Sequence, residues 1–303
     1  MPAARRQVDG PALGLMVLLC ALWGLQQVAI KVAAADVAPV MQVALRSGVS
    51  AALVAAWAWA RGQRLDLLGP TRWPGLLAGA LFAAEFLFVA EGLRHTAASH
   101  MAVFLYTSPV FTALGLHATV RAERLGRLQW LGIGVAFAGI ALAFGGGLLR
   151  GGLGGEALLG DLLGVAAGAS WGATTVVVRR SALSEAPPAA TLLYQLLVGF
   201  ALLLLAAALT GQLHRVDLTP VAVGSLAFQG VVVSFASYLA WFWLLRRYLA
   251  SRLSVFAFMT PIFGVTFGVL LLGEPLTPAF GGGAALVVVG ITLVSGVGLL
   301  QRR

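Results

Sequence analysis

Charge is scarce in this chain. Only 10% of its 303 residues are Asp, Glu, Lys or Arg, while 60% are apolar and the mean hydropathy is +0.94. A soluble domain carries about 25% charged residues, so lipid is the solvent for most of this sequence. Cysteine is nearly absent. Cys20 stands alone, which excludes an intrachain disulfide. Lysine is equally rare, since Lys31 is the one lysine among 20 basic residues. The arginine excess reads as genome composition and is given no function. There is no His-Glu-x-x-His run, no phosphate loop and no cysteine–histidine cluster. No zinc site, cofactor or direct use of ATP is therefore expected. No repeated carbonyl-filter sequence suggests a channel. The net charge of +9 would suit nucleic acid, but the charges sit at the ends of apolar runs rather than in one patch, so no nucleic-acid partner is expected.

The sequence is repetitive. Trp23-Gly24 heads a run ending at Lys31, with Pro39 following, and Trp171-Gly172 heads a run ending at Arg179-Arg180, with Pro187 following. Ala98-Ser99 leads through Val103-Phe104 to Pro109, and Ala250-Ser251 leads through Val255-Phe256 to Pro261. The two members of each pair are about 150 residues apart, the mark of an internal duplication. The expected halves are 1–150 and 151–303. The N-terminal apolar run resembles a signal peptide, but its Trp-Gly matches that of an internal segment, which favours a retained span.

Apolar runs give ten spans, at 11–30, 40–60, 73–92, 98–118, 128–146, 159–178, 189–209, 220–243, 253–272 and 281–300. Each is about 20 residues, the length that crosses a bilayer as a helix. Pro39, Pro74, Pro187 and Pro220 mark helix starts. The expected fold is an all-α polytopic membrane protein of ten transmembrane helices in two five-helix repeats. Five is odd, so the second repeat enters the bilayer inverted, an arrangement that builds secondary transporters with a midplane site. With both termini cytoplasmic, the inner segments hold Arg5, Arg6, Arg61, Arg64, Arg72, Arg121, Arg124, Arg127, Arg179, Arg180, Arg246, Arg247, Arg252, Arg302 and Arg303. The outer loops hold only Lys31, Arg94, Arg150 and Arg215. That bias points to a bacterial inner membrane.

Small residues recur at helical spacing: Gly160, Gly164, Gly168 and Gly172 in span 6, Gly75 and Gly79 in span 3, and Gly264 and Gly268 in span 9. Such grooves let helices approach closely in lipid. Pro109 and Pro261 fall in the middle of spans 4 and 9. Each removes a donor, freeing the carbonyl of Leu105 or Ala257, and each is expected to act as a hinge or cavity-lining bend.

These features resemble the drug/metabolite transporter superfamily, and within it the EamA-type ten-span members. Ala21 through Trp23-Gly24 to Ala29-Ile30-Lys31 is similar to the family's first-span pattern. Thr96 through Ser99 to Ser108-Pro109 resembles its fourth-span signature, and Leu249 through Ser251 to Pro261, followed by Gly273-Glu274-Pro275, its ninth. The chain departs from the pattern at Gln26-Gln27, where many members carry a smaller polar residue and an aromatic. The resemblance implies a small metabolite, amino acid or drug as cargo, often moved outward, and one subgroup exports aromatic amino acids.

Glu85 is the one acid deep within a span, about 10 Å from the outer face by helix rise, and must face water or the bundle interior. It is a candidate proton acceptor or amine ligand, with the proton as a possible coupling ion. Arg46 reaches a similar depth, either pairing with Glu85 or facing a cavity. Trp23 and Trp171 pack against neighbours or wall a site. By the resemblance, Phe82, Phe86, Tyr106, Tyr238, Trp241 and Phe258 lie in spans around the cavity, with Gln26 and Gln27 adding amide groups. His95 and His100 are expected to be interfacial hydrogen bonders, and Glu123 and Glu274 turn residues or caps. Three readings stay open. The first is a secondary transporter of aromatic or hydrophobic amino acids. The second is a multidrug or quaternary-cation exporter. The third is a membrane-embedded enzyme or lipid-handling scaffold, for which the adjacent Ser99 and His100 point about 100° apart on a helix and make a poor dyad. No catalytic residue is expected.

Overall fold

The computed structural model describes residues 9–63, 65–120, 125–148, 155–248, 257 and 259–300. The described residues form helices α1 (Gly10–Val32), α2 (Pro39–Ala60), α3 (Arg72–Gly92), α4 (Ala98–Leu105), α5 (Ser108–Thr119), α6 (Arg127–Leu148), α7 (Gly155–Arg180) and α8 (Pro188–Leu209). There follow α9 (Pro220–Ala227), a π-helical stretch (Phe228–Ser237), α10 (Tyr238–Arg247), α11 (Met259–Leu272) and α12 (Pro278–Leu300). Among the described residues seven helical segments are long and apolar enough to cross a membrane. Three shorter apolar helices, Arg127–Ala143, Met259–Leu272 and Pro278–Leu293, fall on the remaining expected segments.

Local chemistry sets the helix ends. Asp9 caps α1 by accepting from Ala12 N at 3.0 Å, and Thr219 caps α9 by accepting from Ala222 N at 3.1 Å. Pro39, Pro188 and Pro220 open α2, α8 and α9, where a missing N–H costs nothing. The helices α2 and α8 stop in the same way. Gly62 and Gly211 take left-handed φ angles of 63° and 70°, and the next residues, Gln63 and Gln212, donate back to Ala58 O and Ala207 O.

The halves interleave. Helix α1 packs on α11, and α7 packs on α4 and α5. Helix α3 packs on α7 and α8, while the π-helical stretch packs on α1 and α2; α2 also meets α8, and α6 meets α12. The glycine series of α7 forms the expected groove. A methyl at Gly168 would lie 2.6 Å from Thr107 Oγ1 and 2.9 Å from Leu105 O, so only hydrogen fits there. Trp59, Trp73 and Trp130 stay exposed near the ends of α2, α3 and α6, the positions tryptophan favours on membrane-length helices.

The fourth span differs from its expectation. One helix bent at Pro109 was expected, but the helix ends at Leu105 and restarts at Ser108, with Pro109 in the first turn of α5. Thr107 explains the break. Its N–H and hydroxyl both donate to Phe104 O, at 3.1 and 2.6 Å, which closes the turn. Pro261 likewise lies in the first turn of α11 rather than mid-helix.

Candidate functional site

The break in the fourth span delivers Tyr106 to the middle of the bundle. Tyr106 is buried and meets Trp171 of α7 edge-on, with ring centroids 5.2 Å apart. It lies within electrostatic reach of Glu85 and Tyr238. On α3, Phe82 and Phe86 pack at 4.7 Å, with buried Glu85 between them in sequence. Arg46 of α2 is 1% exposed, and its guanidinium lies 4.0 Å from the centroid of the Phe86 ring. Arg46, Glu85 and Tyr238 share one electrostatic neighbourhood. The expected alternative of a direct pair does not arise, because among the described residues no carboxylate lies within ion-pair distance of Arg46. The Nε, Nη1 and Nη2 atoms of Arg46 have no hydrogen-bond partner.

Five expected residues, Phe82, Glu85, Phe86, Tyr106 and Tyr238, thus come together, with Trp171 as an edge. Trp23 and Trp241 form a second group. Their rings meet edge-on at 5.8 Å, and Trp23 Nε1 donates to Ser237 Oγ at 2.9 Å. Gln26 and Gln27 are buried in α1, and Gln27 Oε1 has no partner. Phe258, with Ala250-Ser251, Val255-Phe256 and Glu123, lies outside the described residues.

Sequence reasoning missed the bracing of the π-helical stretch. Gln229 Nε2 donates to Gln42 Oε1 at 2.8 Å, and Ser50 Oγ donates to Gly230 O at 2.8 Å and to Arg46 O at 2.7 Å. Gln42 Nε2 donates in turn to Ile30 O and Val37 O. The available signal was two intramembrane glutamines, Gln42 and Gln229, in otherwise apolar runs.

One rim of the bundle is closed by a polar cluster built from the motif residues. Lys31 at the end of α1 donates to Thr96 O at 2.6 Å and lies 3.5 Å from Glu274. Glu274, after α11, accepts from Ala98 N at 2.7 Å and Ser99 N at 2.9 Å, capping α4 from the other half of the chain. Burial pushes its carboxyl up, but the bonds from Ser99 and Ala98 and the Lys31 charge outweigh that, and it is held below the ordinary glutamate value. Thr96 donates to Asp161, and His100 Nδ1 lies 3.1 Å from both Asp161 oxygens while its ring stacks on Phe280 at 3.8 Å. The hydrogen-bonding role expected for His100 is met by this partner. His95 Nδ1 is buried without one.

Membrane-length helices enclosing charged, amide and aromatic side chains, with irregular backbone beside them, fit the membrane transport class. Known proteins agree. The EamA-like transporter family matches twice, over residues 10–145 and 158–296, and the chain belongs to that family. It is 26% identical to the uncharacterized inner membrane transporter YedA of Escherichia coli strain K12, over 94% of this chain and 90% of the relative. It is 27% identical to a probable amino-acid metabolite efflux pump of Salmonella typhimurium, over 91% of this chain and 92% of the relative. A solved crystal structure shares the fold, with a TM-score of 0.68 and 21% identity, covering 98% of this chain and 100% of that one.

Proposed function

We propose that this chain is a secondary transporter of small, partly apolar metabolites, and that it exports aromatic or hydrophobic amino acids across the inner membrane by alternating access. Ten spans lie in two inverted repeats with both termini cytoplasmic. The packing supports this reading. Exchanging the halves turns the α1–α11 contact into the contact of α7 with α4 and α5. It turns α3–α7 and α3–α8 into the contacts of the π-helical stretch with α1 and α2, while α2–α8, α4–α11 and α6–α12 map onto themselves. The observation that carries the functional reading is the buried cluster of Arg46, Glu85, Tyr106 and Tyr238, polar groups set among Phe82, Phe86 and Trp171 in the interior of a membrane bundle. Aromatic rings hold an apolar side chain and the polar groups hold the charged end of the cargo. Discontinuous helices at Tyr106 and the proline turns at Pro109 and Pro261 serve as hinges. The relative named as an amino-acid metabolite efflux pump supports the cargo class.

The rival cation-exporter reading draws on Glu85 among aromatic rings, which suits a cation as well as an amine. Counterflow in proteoliposomes with a panel of amino acids and quaternary cations, with and without a pH gradient, separates the two. Exchange of phenylalanine, tryptophan or leucine is expected. Competition by cationic dyes with no exchange of any amino acid would select the rival. Glu85→Gln is expected to flatten the pH dependence of transport, and an unchanged profile would remove Glu85 as the coupling-proton site.

A further inference from the structure

We propose that Arg46 is the receptor for a carboxylate on the cargo, so that the transported species must carry an anionic group. This rests on the transporter reading above and assigns the anchor of that same site.

Arg46 is 1% exposed, yet Nε, Nη1 and Nη2 make no hydrogen bond. A buried guanidinium with its donors unspent is a costly arrangement for a purely structural residue, because each unmade bond leaves the desolvation of a charged group uncompensated. Structural arginines in low-dielectric surroundings are paired or hydrogen-bonded. Here the neighbours support the charge without using its donors. The Phe86 ring offers its face at 4.0 Å, and Glu85 lies in the same neighbourhood without an ion pair. The backbone at Arg46 is fixed. Ser50 Oγ ties Arg46 O to Gly230 O, and a methyl at Gly230 would lie 3.8 Å from Arg46 Cα, so the π-helical stretch backs directly on it. A rigidly mounted planar fork with free donors matches a carboxylate, which two parallel N–H bonds can hold.

The rest of the cluster fits the other parts of such a cargo. Phe86 lies against the fork, Phe82 packs on Phe86, and Tyr106 and Trp171 belong to the same apolar cluster. Glu85 makes no hydrogen bond or ion pair among the described residues, so it is free to accept from an ammonium group on the same cargo. A zwitterion would then satisfy both charges at once. An apolar cation would satisfy only Glu85 and leave Arg46 unpaired.

Four probes separate these elements in proteoliposomes reconstituted with the full chain: phenylalanine, 3-phenylpropionate, phenylalaninamide and phenethylamine. The first two carry the carboxylate and the last two do not. Counterflow is expected for phenylalanine, weaker counterflow for 3-phenylpropionate, and none for the two amines. Arg46→Gln is expected to reduce phenylalanine transport by roughly tenfold to a hundredfold, the loss of charge-assisted bonds. Arg46→Lys, which keeps the charge but not the fork, should fall between. Transport of phenylalaninamide as fast as phenylalanine, or an unchanged rate in a folded Arg46→Gln protein, overturns the proposal. Wild-type protein gives a second measurement if the variant does not fold. Modification of Arg46 by phenylglyoxal during transport cycling that opens the site, followed by mass spectrometry, should be slowed by 3-phenylpropionate or benzoate and not by phenethylamine, and an Arg46 that never reacts overturns the proposal. If none of the four probes is transported, the amino-acid reading fails, and the protection experiment still decides on Arg46: no protection by either carboxylate overturns it.

Discussion

Trp23-Gly24 in α1 and Trp171-Gly172 in α7 meet matching surfaces. A methyl at Gly24 would lie 2.8 Å from Gly264 N and 2.9 Å from Phe263 Cβ, and a methyl at Gly172 would lie 3.0 Å from Thr112 N and 2.7 Å from Phe111 Cβ. Phe111-Thr112 and Phe263-Gly264 follow Pro109 and Pro261 at the same spacing. The same atoms of the matched residues are therefore in contact in both halves. The helix stops at Gly62 and Gly211 repeat one another as well. These likenesses concern backbone approach, where small residues let helices pack in lipid.

The two halves part where the interior is polar. Glu85 in α3 has Ser237 at its matched position, and Arg46 in α2 has Tyr194. Ser237 spends its oxygen on Trp23, and Tyr194 spends its hydroxyl on Leu67 O at 2.5 Å and Thr71 at 3.1 Å. In one half the matched polar groups are locked into the structure; in the other, Arg46 and Glu85 keep theirs. The second half has its own departure. Its π-helical stretch, Phe228–Ser237, corresponds to regular α-helix in α3. Such a stretch inside an α-helix is a frequent feature of functional sites. The frame is common to both halves, and the proposed site lies where they differ.

The largest effect expected is on the shared frame. Gly24→Leu and Gly172→Leu should each destabilise the detergent-solubilised protein by about 3 kcal/mol, the upper range for overfilling a packed contact. Thermal unfolding followed by size-exclusion chromatography measures both. Similar losses at the two positions sharpen the likeness between the halves. A tolerated leucine at one and a collapse at the other would break it.

Glu274 tests whether the halves are fastened to each other at the rim. Glu274→Ala removes the cap on α4 and should cost about 1–2 kcal/mol. The pH dependence follows from the direction of the shift. The folded carboxyl is held below its ordinary value of 4.5, so its stabilisation is complete above that value and lost as the pH falls through the lower folded one. The wild type should therefore lose its advantage over Glu274→Ala on acidification below about pH 4.5, and parallel curves for the two proteins down to pH 3 would remove the carboxylate from this role.

Much of this frame was legible in the sequence. Seven of the expected segments fall on long apolar helices and the others on shorter apolar helices among the described residues, because apolar runs, prolines and glycines are local signals. The break at Tyr106 was half legible. Pro109 announced a disturbance, but termination at Leu105 also depends on Thr107 turning back to Phe104 O and on Gly168 admitting the turn from another helix. The π-helical stretch was illegible, since Phe-Gln-Gly-Val-Val-Val-Ser-Phe-Ala-Ser reads as ordinary apolar helix. Its bonds to Gln42 and Ser50 are made across the fold. Glu274 was readable as a turn or cap residue, though nothing local says that it caps a helix in the other half. Arg46 was visible as an intramembrane charge, and only the fold reveals that its donors are unspent.

The smallest expected effect bears on the sharpest difference between the halves. Tyr194 occupies the position of Arg46 but uses its hydroxyl in two protein bonds, while its ring fills the contact with Gly75. Tyr194→Phe keeps the ring and removes only the hydroxyl. The loss should be about 1 kcal/mol of stability, the net worth of a hydrogen bond, because Leu67 O and Thr71 sit near the rim where water can replace the lost partner. Transport kinetics should not change, since the residue faces no cargo in the proposed route. Arg46→Lys should show the reverse pattern, with nearly intact stability and altered cargo preference. The two variants measured side by side, for melting temperature and for phenylalanine counterflow, therefore form a crossed test. If Tyr194→Phe altered cargo preference as strongly as Arg46→Lys, the site would extend symmetrically into the second half, and the division between a common frame and a one-sided site would fall.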